Sequence, residues 1–318
     1  MFKRILCPYD FTPHAARGLA YAVRLARRFR GHLEIVTVRT TPPGSAGEAG
    51  ARPLSRIERY ALEREIDAAG GTGPLPADAR VVIGKPSSDI TAIARADRAD
   101  LVVMGTHADA DASDADAARS SITFQVLGRT AIPVLAVPPG APDPRACPLG
   151  SGEMVLGIDF DEACAGEVMA AAEVARLYDA RLLLVHVIDP RPSSGDCREM
   201  NASRDVARVA RARTALEHLL SLAPSGVDRS GLLLIGSPAE ELAAIARERQ
   251  AGLVVTGLRN PGALLRPPQG SIAYRVLCLA SVPVLALPPA AAGDFSLFKR
   301  RRHEDRGIVD CDRPAGRL

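Results

Sequence analysis

Short apolar runs alternate with longer segments of mixed polarity along most of this chain. Each run is bounded by turn residues, which is typical of parallel strands that are buried on both faces of a sheet. In the first half of the chain the predicted strands are residues 3–9, 33–38, 80–83, 101–104 and 134–137. Because a helix is predicted between most successive strands, we expect right-handed crossovers and one parallel sheet, and hence an α/β fold.

Local signals mark where these helices begin and end. The predicted helices are residues 15–30, Ser55 to about Ala69, a helix capped by Ser87 or Ser88, and residues 122–127. Thr12-Pro13 suits an N-cap and first turn, and Ser55 with Glu58 forms a capping-box pattern. Residues 40–53 are rich in proline, glycine and alanine, so we predict a flexible loop there.

The same order of landmarks occurs twice. Matching residues are separated by 149 to 152 positions, and the pairs are Asp10 with Asp159, Val36 with Val185, Ile83 with Ile235, Val102 with Val254, Ile122 with Ile272 and Ile132 with Val282. A repeat this long holds a full set of strands and helices, so each copy can bury its own core. The chain is therefore predicted to be two copies of one domain.

The repeat sets the predicted domain boundaries. The first domain covers residues 1–139, a linker rich in Pro, Gly and Ser covers 140–152, and the second domain covers 153–289. Residues 290–318 form a basic tail that contains the run Lys299–Arg302. This tail is interpreted as a disordered, solvated end, and the alternative is a weak contact with a membrane or nucleic acid.

Composition excludes several classes of protein. Among 318 residues 47% are hydrophobic and 4% aromatic, so the cores must consist of aliphatic side chains and no aromatic platform for nucleic acid is indicated. The formal net charge is +3, which gives no argument for a polyanion partner. No signal peptide or membrane span is indicated, so we expect a cytoplasmic protein. None of the six cysteines forms a CxxC pair, so no metal site is predicted.

One loop in the second copy has a spacing that suits ligand binding. A strand, Leu253–Val255, leads to Gly257, and two residues later comes Asn260, which tolerates left-handed backbone as glycine does. Nine residues further on, Gly270-Ser271 begins a helix, whose first amides, at Gly270, Ser271 and Ile272, would face an anion such as phosphate. The alternative is a plain connection between strand and helix.

These landmarks together resemble the universal stress protein family in its tandem form. The residues that carry the resemblance are Asp10 and Asp159, the turns Gly84-Lys85-Pro86 and Gly236-Ser237-Pro238, the strand-ending Gly105 and Gly257, and Pro133 and Pro283. The resemblance implies two Rossmann-like domains of the adenine nucleotide alpha hydrolase type, each a five-stranded parallel sheet flanked by helices. It also implies an internal pseudo-dimer with residues 133–137 and 283–287 near the shared interface, and it allows a homodimer.

One branch of that family binds ATP through a loop written Gly, two residues, Gly, nine residues, Gly, Ser or Thr. The second copy matches it with Asn260 at the middle glycine. By resemblance, Asp159 faces the adenine, the backbone at Val187 contacts the base, Gly257 lies by the ribose, and Gly270, Ser271 and Ile272 hold phosphates. Asp161 stands where the family often has a small hydroxyl residue, so Mg²⁺ or the loop residues Arg259 and Arg266 would have to compensate its charge.

The first copy departs further from this pattern. Ala108 takes the place of the middle glycine, Ser120-Ser121 replaces Gly-Ser, and two additional residues separate them. The same segment holds four aspartates, Asp109, Asp111, Asp114 and Asp116, where phosphates would lie. We therefore predict that the first copy does not bind ATP.

The function expected from these features is that of a cytoplasmic stress-response protein that binds ATP in its second domain and acts as a regulatory switch. An unidentified protein partner is expected, without nucleic acid or membrane. The alternative is a protein-interaction module of the same fold that binds no nucleotide. We find no catalytic residues, so slow ATP hydrolysis is the most that we expect.

Overall fold

The computed structural model describes residues 2–40, 51–70, 75–106, 121–145, 149, 152–190, 198–258 and 272–288. The strands are β1 Arg4–Pro8, β2 His32–Arg39, β3 Ala51–Pro53, β4 Ala77–Ile83, β5 Leu101–Gly105, β6 Val134–Val137, β7 Glu153–Ile158, β8 Arg181–Ile188, β9 Arg229–Ile235, β10 Leu253–Gly257 and β11 Val284–Leu287. The helices are α1 Pro13–Phe29, α2 Arg56–Ala69, α3 Pro86–Ala96, α4 Ile122–Leu127, α5 Cys164–Tyr178, α6 Arg198–Leu222, α7 Pro238–Glu248 and α8 Ile272–Leu279.

All of these strands join one continuous sheet of 11 strands in the order β3-β4-β2-β1-β5-β6-β11-β10-β7-β8-β9. Strands β4, β2, β1, β5 and β6 pair in parallel in the first domain, and β9, β8, β7, β10 and β11 do so in the second. The predicted five-stranded parallel sheet is therefore confirmed in each domain. The two sheets meet where β6 and β11 pair antiparallel, with Leu135 opposite Leu285. This pairing agrees with the expected position of both strands at the interface.

Two sequence predictions in the first domain were wrong. The predicted loop 40–53 ends in strand β3, which pairs antiparallel with the outer edge of β4. Pro53 is tolerated because β3 is a short edge strand. Helix α3 is not capped by Ser87 or Ser88, because it begins at Pro86 with Lys85 as the N-cap. No side chain caps the first turn of α3, and the backbone amide of Lys85 itself donates to Asp89 Oδ2 at 2.6 Å.

Other local signals act as predicted. The Thr12 side chain caps α1, and Ser55 forms a complete capping box with Glu58 at the start of α2. Helix α1 ends at Phe29, and Arg30 rather than Gly31 adopts the left-handed conformation. A Cβ atom at Gly31 would lie 2.8 Å from the carbonyl oxygen of Phe2, so this glycine permits a close approach to the start of β1.

Helices cover both faces of the sheet. Helices α1, α2, α5 and α6 pack in one apolar cluster, and α3, α4, α7 and α8 pack in a second one. In β1, Ile5 and Cys7 belong to the first cluster and Leu6 to the second, as strand alternation requires. Both clusters run through both domains, so the fold has three layers with a sheet buried in the middle. Within the described residues no helix combines the length and the apolar character needed to span a membrane.

Contacts between the domains reinforce the strand pairing. The Phe29 and Tyr178 rings meet edge to face with centroids 6.2 Å apart, and the Arg28 guanidinium lies 5.4 Å from the Tyr178 ring centroid. The described part of the linker packs against α1, where the Tyr21 hydroxyl donates to the Pro142 carbonyl at 2.8 Å. The two domains therefore share a packed interface as well as a sheet.

Candidate functional site

Three of the residues proposed from the sequence lie at one edge of the second-domain sheet. Strand β7 lies between β8 and β10, with Gly157 opposite both Val185 and Thr256. Asp159 follows the end of β7, Val187 is the next-to-last residue of β8, and Gly257 ends β10. Parallel strands place their carboxyl ends at the same edge, which is where open α/β sheets bind ligands.

These residues differ in exposure. The Asp159 side chain is exposed, Val187 is buried, and Gly257 is partly buried. Ile272 is the first residue of α8, and its side chain is 41% exposed. The remaining predicted residues, Asn260, Gly270 and Ser271, and the two loop arginines, Arg259 and Arg266, lie outside the described residues. The structure therefore brings together the predicted site residues that lie at strand ends, which are Asp159, Val187 and Gly257.

A short turn after β7 orients Asp159. Phe160 adopts a φ of 61°, which is uncommon for a bulky residue. Asp159 Oδ1 accepts hydrogen bonds from the Asp161 amide and from the Cys164 thiol, both at 3.3 Å. The Phe160 ring packs against His186 with centroids 4.2 Å apart, and His186 Nδ1 lies 2.9 Å from the Ile158 carbonyl oxygen. The sequence analysis did not identify Phe160 or Cys164 as parts of this turn.

Asp161 has a structural role that the sequence analysis missed. Its Oδ1 atom accepts hydrogen bonds from the amides of Ala163 at 2.9 Å and Cys164 at 3.1 Å, at the start of α5. Thr12 holds the same position in the first copy, where its hydroxyl accepts from the Ala15 amide at 3.2 Å. A carboxylate at a helix N-terminus is stabilised by the first-turn amides, so part of its charge is already compensated.

Asp159, Asp161 and Cys164 also place their oxygen and sulfur atoms within 4.8 Å of one another. Burial raises the pKa of the Cys164 thiol to about 12, so the sulfur keeps its proton and donates to Asp159. Asp159 Oδ1 also accepts from the Asp161 amide, so hydrogen bonds link the three residues. The cluster is thus explained by its own hydrogen bonds, and the expectation of no metal site stays a prediction.

A cavity of about 460 Å³ lies at the equivalent edge of the first domain. It is bordered by the carboxyl ends of β1, β2 and β5 and by the N-terminal ends of α3 and α4. Helix α8 of the second domain adds Tyr274, Leu277 and Cys278 to its wall. This cavity was not predicted from the sequence, and Phe124 of its lining lies against Tyr274 of the second domain. These two rings meet at 4.6 Å between centroids.

Comparison with known proteins identifies the class of protein to which this chain belongs. The sequence model described as Universal stress protein family matches residues 1–138 and again residues 152–288. The chain therefore belongs to the universal stress protein family, in a tandem two-domain form, as the sequence resemblance predicted.

Individual relatives agree with this assignment. A protein of Thermus aquaticus named "Universal stress protein in QAH/OAS sulfhydrylase 3'region" is 36% identical over 111 residues, which is 33% of this chain and 78% of that protein. A universal stress protein of Archaeoglobus fulgidus aligns with a TM-score of 0.59 and 16% identity, covering 90% of this chain and 96% of its own. A putative one of Pseudomonas aeruginosa aligns with a TM-score of 0.59 and 18% identity, covering 91% of this chain and 94% of its own. The two structures establish the fold.

Proposed function

We propose that this universal stress protein binds ATP in its second domain and that occupancy of that site acts as a regulatory switch in a cytoplasmic stress response. The observation that carries the proposal is the convergence of Asp159, Val187 and Gly257 at the carboxyl edge of three neighbouring strands. This edge offers an exposed carboxylate, a strand end with backbone groups and a glycine within one small region. These are the groups that could receive a base and a ribose.

The charge of Asp161 does not rule out a phosphate nearby. Its carboxylate is engaged by two amides at the start of α5, which reduces its repulsion of an anion. Mg²⁺ prefers oxygen ligands, and the phosphate oxygens of ATP supply them. A bound Mg²⁺ ion would neutralise phosphate charge. We propose binding without catalysis, with slow ATP hydrolysis at most.

Helix α8 supports the switch part of the proposal. Its first residue, Ile272, adjoins the predicted phosphate-binding residues Gly270 and Ser271. Its later residue Tyr274 contacts Phe124 of the first domain. Because α8 is a continuous helix of 8 residues, a ligand at its N-terminus could alter the contact between the domains.

Single substitutions test the site. Asp159→Ala should weaken ATP binding about 10- to 100-fold, because the loss of a hydrogen bond to a charged group costs about 1.5–3 kcal/mol. Gly270→Val should abolish binding, because a β-branched side chain would block the approach of phosphate to the backbone. Titration calorimetry with ATP, with and without MgCl₂, measures both affinities.

Asp228→Ala is the matched control. Asp228 is an exposed carboxylate that pairs with Arg181 at the opposite edge of the same sheet, so its removal should leave ATP affinity unchanged.

Solved universal stress proteins similar to parts of this chain include one of Archaeoglobus fulgidus in complex with dAMP and one in complex with cAMP. Those ligands belong to those two structures. For this chain, dAMP and cAMP serve as additional probes of the second-domain site. Unchanged ATP affinity in Gly270→Val would remove the loop from the site and favour the interaction-module alternative.

A further inference from the structure

The first-domain cavity has a size and position that suit a ligand. Its volume of about 460 Å³ falls within the range of about 300–1,000 Å³ typical of small-molecule sites. It lies at the carboxyl ends of parallel strands, and a helix of the other domain forms one wall. Sites shared between domains are also a preferred location for ligands.

The lining is mostly apolar. Aliphatic and aromatic side chains come from β2, α3, β5 and α4, and they include Val36, Val38, Ile90, Met104, Phe124 and Leu127. From the second domain, Tyr274 and Leu277 add further apolar surface, and Cys278 adds a thiol whose pKa is raised by burial. Apolar surface of this extent favours an apolar ligand, because binding removes it from water.

Three threonine hydroxyls of the lining already donate their protons within the protein. Thr12 Oγ1 donates to Asp10 at 2.6 Å, Thr106 Oγ1 to the Val137 carbonyl at 3.4 Å, and Thr123 Oγ1 to the Gly105 carbonyl at 3.3 Å. At the start of α4, Ser121 Oγ accepts from the Phe124 amide at 3.5 Å. An anion needs hydrogen-bond donors, and these donors point to other acceptors.

The charges at the cavity are also unfavourable to an anion. Among the described residues, the lining includes one carboxylate, Asp10, and one histidine, His14, but no lysine or arginine. A phosphate in this part of the cavity would therefore meet the Asp10 carboxylate, and no described lysine or arginine would compensate the repulsion.

We propose that this cavity is a second binding site, which takes an uncharged, largely apolar small molecule of two or three rings and excludes nucleotides. Helix α8 completes the site from the second domain. The proposal does not depend on ATP binding by the second domain, since it rests on the lining of a different site.

The test uses N-phenyl-1-naphthylamine, an uncharged fluorophore of this size. We expect saturable binding of one probe per chain, with a dissociation constant on the order of 10 μM for a ligand with so few polar contacts. The matched anionic probe is 8-anilinonaphthalene-1-sulfonate, which has the same ring skeleton and adds a sulfonate. It should bind at least about tenfold more weakly, because it has no cationic partner in the lining. Equal or tighter binding of the sulfonate would overturn the proposal.

Two substitutions test whether the probe binds in this cavity. Ile122→Trp adds bulk from α4 at a side chain that is 40% exposed, and Cys278→Phe adds bulk from the second domain. Both should lower affinity for the neutral probe at least about tenfold by occupying the cavity. The control Ile57→Trp makes the same change as Ile122→Trp at a site that is 82% exposed on α2, and it should leave affinity unchanged. Two differently placed variants with native circular dichroism spectra exclude a folding defect. Binding that is insensitive to both would refute the proposal.

ATP competition separates this proposal from the proposed function. In the Gly270→Val background, once calorimetry has shown that its second domain no longer binds ATP, ATP should not displace the neutral probe. Displacement in that background would show that the first-domain cavity itself takes nucleotides, which contradicts the proposal. Loss of ATP binding together with unchanged probe binding would support it.

Discussion

The turn after the first strand of each domain stores backbone strain in a phenylalanine. Phe11 and Phe160 adopt φ angles of 65° and 61° at equivalent positions. Each ring packs on an aromatic neighbour, Tyr9 at 4.8 Å and His186 at 4.2 Å between centroids. The aromatic contact offsets the cost of the left-handed conformation, which is about 1–2 kcal/mol for a residue with a Cβ. Sequence patterns did not reveal this, because phenylalanine is not a residue type that marks left-handed turns.

We expect Phe160→Ala to destabilise the protein more than Phe160→Gly does, by about 1 kcal/mol. Both variants lose the contact with His186, but only glycine also relieves the strain of positive φ. Urea unfolding followed by circular dichroism measures the difference.

Phe124 serves as the matched control, since it lies in helix α4. There the order should reverse, because glycine in a helix is less favourable than alanine by about 1 kcal/mol. The same order at both positions would contradict a role for strain at Phe160.

At the scale of elements, the sequence predicted most strands and helices because apolar periodicity and caps are local signals. The N-cap at Thr12, the capping box at Ser55 and helix α4 at residues 122–127 were predicted correctly. Strand β3 was missed because it depends on the open edge of β4, which is a tertiary feature. The hydrogen bond from the Lys85 amide to Asp89 was missed because it forms only once α3 begins at Pro86.

Ser55→Ala should reduce the free energy of unfolding by about 1 kcal/mol, because the Glu58 amide loses its side-chain acceptor at the start of α2. Thermal or urea unfolding measures this loss. The control Ser221→Ala removes an exposed hydroxyl near the end of α6, where the expected change is within about 0.5 kcal/mol. Equal effects at both serines would show that the capping box contributes nothing specific.

At the scale of the whole molecule, the duplication was readable from the sequence, but the arrangement of the copies in one sheet was not. The spacing of residues predicts the fold of each domain. The cavity that α8 helps to form depends instead on how the two copies face each other. Part of the candidate site was also predictable from the sequence pattern. Asp159, Val187 and Gly257 lie at strand ends, which the pattern locates, while residues 259–271 lie outside the described part of the chain.

Leu285→Asp tests the junction between the domains. Leu285 is 3% exposed and lies opposite Leu135 where β6 and β11 pair, so the substitution would bury a carboxylate without a partner. We expect a loss of about 3 kcal/mol or more in unfolding free energy, measured by urea denaturation. Ile235→Asp makes a similar change at a side chain that is 66% exposed and should cost less than about 1 kcal/mol. A similar cost for both would argue against a buried junction.

We propose that one of the two domains binds a nucleotide. Titration calorimetry of the intact chain with ATP and MgCl₂ tests it most directly, because the stoichiometry counts the working sites. We expect one ATP per chain and no binding heat in Gly270→Val. Two sites per chain would show that the first domain also binds ATP, and the absence of binding in the unmodified protein would contradict the nucleotide switch altogether.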